Sequence, residues 1–94
     1  MTLGRYIRES GVERLFVQRA EERGWSVRKV NWIGRRGAPD RALMRHPAII
    51  VFVELKAPGG KLEDHQQREH DRLRGMGFEV VVLWNKAEVE RYFR

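Results

Sequence analysis

Two short stretches carry the charged residues best placed to do chemistry. One is Ala38-Pro39-Asp40, and the other, Glu54-Leu55-Lys56, begins fourteen residues after that aspartate. Both stand at the ends of apolar runs, where an ionised group is costly unless it is paired or bound to an ion. Side chains alternate along a strand, so Glu54 and Lys56 share one face. If the hairpin through His46-Pro47 is antiparallel, Asp40 lies on the neighbouring strand close to Glu54. Two carboxylates so near repel, and a divalent cation resolves the repulsion. Hard oxygen ligands suit Mg²⁺ or Mn²⁺, which share such sites with a substrate phosphate. The chemistry this set would support is metal-assisted hydrolysis of a phosphodiester. The plainer alternative is a Glu54–Lys56 ion pair at a strand edge, with Asp40 as a turn residue.

Two helices offer one polar residue each to the same place. At about 100° per residue, Glu13 falls between Phe16, Val17 and Ala20, inside the apolar arc of its helix. It can fold back onto Ser10 as a capping box, Ser10-Gly11-Val12-Glu13, or reach water or a second ion from across the sheet. Gln66 shares a stripe with Leu62, His70 and Leu73, where an apolar residue is expected. A buried amide requires partners, which are either backbone groups or the site itself. His65 and His70, five apart, do not share a helix face; His70 reads as a packing residue, and neither is assigned to metal. Trp25, Trp32 and Trp84 read as core, although Trp32, beside a flexible loop, could stack on a base. In that loop Arg35 and Arg36 are candidates for phosphate contact, as is Lys61; a solvated basic loop is the bland alternative.

These residues need elements to position them. The first helix is expected to run to about residue 23, with Gly24 as its stop. Residues 25–32 mix β-branched, aromatic and basic side chains and read as a strand. Gly34-Arg35-Arg36-Gly37 is a loop, and residues 40–44 form a short strand. Ile49-Ile50-Val51-Phe52-Val53 has the continuous apolar character of a strand buried on both faces. A second helix spans roughly residues 62–74, a strand residues 78–84, and Asn85-Lys86-Ala87-Glu88 opens a terminal helix with a capping pattern. The order α-β-β-β-α-β-α predicts an α/β fold, a mixed central sheet with helices on its faces.

Composition agrees with a folded nucleic-acid-binding chain. Ninety-four residues read as one domain over 1–94, with 41% hydrophobic and 34% charged residues. No run reaches the ~20 apolar residues that cross a bilayer, and the start has no signal-peptide core, so no membrane partner is expected. The absence of cysteine excludes a disulfide framework and a thiolate zinc site and fits a reducing, cytoplasmic setting. The net charge of +6 comes mostly from arginine, fifteen of nineteen basic residues. Arginine's planar fork binds phosphate in a bidentate way, which favours a polyanionic partner such as DNA. An arginine-rich proteome is the alternative source of that excess.

Together, Gly37-Ala38-Pro39-Asp40, Glu54-Leu55-Lys56-Ala57-Pro58-Gly59-Gly60, Leu62-Glu63-Asp64-His65-Gln66 and the helical Glu13 resemble the VRR-NUC (virus-type replication-repair nuclease) branch of the PD-(D/E)xK nucleases. The likeness runs from about Val12 to Trp84. It implies a restriction-endonuclease-like core and a Mg²⁺- or Mn²⁺-dependent endonuclease acting on DNA structures. It also implies that Asp40, Glu54 and the backbone carbonyl of Leu55 hold the ion, and that Lys56 orients water or stabilises the phosphorane. Glu13 would bind water or a second ion, and Gln66 would complete the pocket. A chain this short is similar to the viral type, which resembles Holliday-junction resolvases, is expected to be a homodimer and would work in the host cytoplasm. A flap, splayed-arm or linear-duplex nuclease, or a silent nucleic-acid-binding module, are the alternatives.

Overall fold

The structure, a computed structural model, describes residues 11–94. Helix α1 (Gly11–Glu22) leads into β1 (Ser26–Lys29), β2 (Arg41–Arg45) and β3 (Ile49–Leu55). Helix α2 (Asp64–Gly75), β4 (Glu79–Leu83) and α3 (Lys86–Tyr92) follow. The element order is the one expected. The four strands form one sheet in the order β1-β2-β3-β4; β1, β2 and β3 are antiparallel neighbours, and β4 pairs parallel to β3. The sheet is therefore mixed, with α2 as the crossover that a parallel pair requires.

Alternation along β3 divides the core in two. Val51, Val53 and Leu55 face α1 and α3, where they pack with Val12, Phe16, Ala20, Val89 and Phe93. Val12, Phe16 and Ala20 recur every four residues, so α1 lays one stripe on the sheet. Phe52 points the other way and packs with Ala42, Val80 and Leu73 of α2. Glu54 and Lys56 continue the Phe52 face toward the end of β3, which places them under α2.

Several boundaries differ from the expected ones, each for a local reason. The first strand ends at Lys29 rather than residue 32, because the Trp32 indole turns in and donates from Nε1 to the Pro39 carbonyl at 2.6 Å. Strand β2 begins at Arg41, one residue after Asp40, although the Asp40 carbonyl still accepts from Val30 N at 2.9 Å. Strand β3 runs on through Leu55, past its apolar run, and Lys56 N then donates to the Leu83 carbonyl at 2.9 Å. Helix α2 starts at Asp64, with Glu63 as its N-cap, so Leu62 precedes the helix instead of opening its stripe. The terminal helix follows its pattern: Asn85 Oδ1 accepts from Glu88 N at 2.9 Å, and Glu88 Oε1 accepts from Trp84 N at 2.9 Å. The capping arrangement of Ser10 with Glu13 lies outside the described residues.

Candidate active site

The β2–β3 hairpin assembles the first pair of side chains. Its register matches Arg41 with Val53, and one step further along places Asp40 opposite Glu54. Glu54 is nearly enclosed, with 12% of its side chain exposed, whereas Asp40 is open at 61%. Burial pushes the Glu54 carboxyl up to about 7, and the Asp40 charge pushes in the same direction; Lys56 and Arg41 pull it back. The Asp40 charge thus acts on Glu54 across the hairpin.

Lys56 follows on the Glu54 face. Its ammonium stands 3.9 Å from Glu54 Oε2 and donates to Gln66 Oε1 at 2.8 Å. That same amide oxygen accepts from Glu63 N at 2.9 Å. The polar residue on the α2 stripe is accounted for: one oxygen caps the helix and steadies the lysine. His70, one turn further along α2, is fully buried with its Nε2 3.8 Å from Glu54 Oε1, too far for a hydrogen bond. Neither ring nitrogen has a hydrogen-bond partner among the described residues. Burial, then the Arg74 charge, holds its pKa below the ordinary histidine value, so the ring is neutral at pH 7. Packing was the expected role; contact with Glu54 was not foreseen, though sharing the Gln66 stripe was a signal for it.

Arg41 was also missed. Strand alternation turns it to the α1 face, where it is buried with 10% of its side chain exposed. Its Nη2 makes a close ion pair with Glu13 Oε2, and its Nη1 lies 3.1 Å from Asp40 Oδ2. Glu13, Asp40, Arg41, Leu55 and Lys56 line one cavity of about 150 Å³, with Ala57 and Pro58 at its edge. Glu13 therefore does reach the neighbourhood of Asp40, with the Arg41 guanidinium between them.

Glu54 and Gln66 do not line this cavity, and neither do the remaining nominated residues. Arg35 is exposed, and its Nη1 is 3.8 Å from Glu69 Oε1 of α2. Arg36 is exposed, and Lys61 stands out with 80% of its side chain in solvent. Trp32 takes the core position expected of it. Its ring packs edge-on against Phe52 at 5.3 Å while its N–H holds Pro39, so the indole braces the residue before Asp40. Gly37 fixes the other end of that loop at φ +86°, where a Cβ would come within 2.8 Å of the His65 carbonyl.

The oxygen atoms of Asp40, Glu54 and the Leu55 carbonyl are the hard donors suited to a divalent cation. Burial and, after it, repulsion from Asp40 raise Glu54; a bound cation would offset both, so the donor set fits. No cluster of three or more histidine, cysteine, aspartate or glutamate side chains with metal-binding geometry occurs among the described residues.

The VRR-NUC domain profile matches residues 23–86, which hold the hairpin, Lys56 and Gln66. The chain belongs to the VRR-NUC family. This VRR-NUC nuclease domain is also 43% identical over 79 residues to "Putative nuclease p44" of Acyrthosiphon pisum secondary endosymbiont phage 1, covering 84% of this chain and 85% of that protein. A solved VRR_NUC domain structure superposes with a TM-score of 0.77 at 37% identity, covering 85% of this chain and 87% of the other. The α/β nuclease core is thus shared in both sequence and fold. No helix of the described VRR-NUC residues is long and apolar enough to cross a membrane.

Proposed function

We propose that this VRR-NUC domain is a Mg²⁺- or Mn²⁺-dependent DNA endonuclease that acts on branched substrates, four-way junctions in particular, as a homodimer in the host cytoplasm. The observation that carries the reading is the buried Glu54 carboxyl, raised to about 7 beside Asp40, with a lysine held next to it by a dedicated amide. A charge arrangement this unfavourable in the isolated chain is characteristic of functional sites.

Asp40, Glu54 and the Leu55 carbonyl would hold the cation, whose chemistry is to neutralise charge on the scissile phosphate and to acidify water. The protein groups do the rest. Asp40, the exposed carboxylate, faces the side from which a phosphate arrives. Lys56 spends one N–H on Gln66 Oε1, and its other two can meet the attacking water or the charge of the phosphorane. Glu13 acts through Arg41, holding the guanidinium beside Asp40. Arg35, Arg36 and Lys61 would contact the duplex arms through sequence-independent phosphate interactions.

Support for a DNA substrate comes from the +6 charge and its arginine source and from the phage nuclease relative. A four-way junction has two-fold symmetry, and a dimer with two-fold related sites would cut it in pairs. The test compares labelled four-way junction, 5′ flap, splayed arm and linear duplex at equal salt, with Mg²⁺ and with Mn²⁺. Paired cuts near the branch point, absent in Asp40→Asn and Lys56→Ala, are the expected result. Faster cleavage of flaps or linear duplex would replace the junction assignment. Binding without cleavage in either metal would make the domain a silent nucleic-acid-binding module.

A further inference from the structure

Building on the metal-dependent reading above, we infer that the Arg41 guanidinium occupies the position a second catalytic cation would need, so that each site takes a single divalent ion. In two-metal sites the ions lie ~3.5–4 Å apart and are clamped by shared carboxylates. Here the carboxylate available beside Asp40 is Glu13, and the space between them is filled. Arg41 Nη2 is on Glu13 Oε2, and Nη1 is 3.1 Å from Asp40 Oδ2. The guanidinium is nine-tenths buried, it cannot be deprotonated, and removing one member of a buried ion pair leaves the other charge uncompensated. A second ion would have to displace it from both carboxylates.

Strand alternation adds a geometric reason. Asp40 and Glu54 share the α2 face, whereas Glu13 reaches the cavity from the α1 face, the side to which Arg41 points.

The test counts ions directly. Mn²⁺ is titrated into the purified full chain at pH 8 without DNA, and bound metal is measured by calorimetry and by loss of the free-ion paramagnetic resonance signal. One Mn²⁺ per chain is expected. Two ions with affinities within about tenfold of each other would overturn the single-ion inference while leaving the nuclease reading standing. No binding at millimolar Mn²⁺ would overturn the metal-dependent reading, and this inference with it. In Arg41→Gln, checked for native circular dichroism, a second Mn²⁺ is expected because the guanidinium no longer stands between Glu13 and Asp40. A folded Arg41→Gln that still binds one ion shows that the guanidinium is not what excludes the second. Glu13→Gln supplies an arm independent of that variant's folding: the count is expected to stay at one Mn²⁺ per chain, because Glu13 is not among the ion's ligands. A folded Glu13→Gln that binds no Mn²⁺ at millimolar concentration would identify Glu13 as a ligand and overturn the inference.

Discussion

Lys56 Nζ donates to Gln66 Oε1 at 2.8 Å and so ties the end of β3 to the first turn of α2. The lysine cannot swing toward solvent without giving up this bond, and the amide oxygen cannot turn away without also releasing Glu63 N. Gln66→Ala is expected to lower single-turnover cleavage at saturating Mn²⁺ by about tenfold to a hundredfold, the usual effect of losing a group that orients a site residue. Its stability cost is about 1 kcal/mol, one helix-capping bond. An unchanged cleavage rate would mean that Lys56 needs no support from α2.

The raised Glu54 carboxyl makes stability depend on pH. Its folded value is about 7 against an ordinary 4.5. Between those values the folded chain keeps a proton that the unfolded chain has released, so stability falls as pH rises through that window. The loss amounts to roughly 3 kcal/mol at most. Glu54→Gln removes it. In metal-free urea titrations the variant should match the parent near pH 4.5 and exceed it at pH 8, while cleavage is abolished. A variant less stable than the parent at pH 8 would favour a structural ion pair with Lys56 instead.

The same proton competes with the cation. Because Glu54 must be ionised to act as a ligand, Mn²⁺ affinity should rise about tenfold from pH 6 to pH 8, with protons released on binding. Calorimetry in two buffers of different ionisation enthalpy measures both. A flat affinity over that range would remove Glu54 from the ligand set.

Gly37→Ala tests the loop that precedes Asp40. The added methyl would meet the His65 carbonyl at 2.8 Å from a backbone at φ +86°. A cost of about 1–3 kcal/mol is expected in the urea midpoint, with reduced cleavage because Pro39 and Asp40 move with the loop. Gly59 also has a positive φ but open space around it, so Gly59→Ala should cost less.

How much of this was legible in the sequence differs from residue to residue. The meeting of Asp40 and Glu54 follows from strand alternation and a short turn, both local properties, and Gln66 announced itself as a polar residue on an apolar stripe. Arg41 did not. It stands next to the motif but faces the other side of the sheet, and its partner Glu13 lies twenty-eight positions earlier on a helix whose seating depends on Phe16 and Val53. Nor could Trp32 be told from a base-stacking platform, since the bond that commits it to Pro39 is tertiary. The expected strand over 25–32 was too long for the same reason.

The hairpin origin of the carboxylate pair has a consequence for how the site would fail. Asp40 and Glu54 are the two ends of a fifteen-residue stretch of chain folded on itself, whereas Lys56 relies on α2, a separate element whose first turn is capped by exposed Glu63 and half-buried Gln66. Local opening of helix ends is less costly than unzipping a central strand pair. Mild heating should therefore cost the enzyme its turnover before its grip on the ion. Amide hydrogen exchange should show the α2 N-terminus opening at temperatures where the β2–β3 amides are still protected.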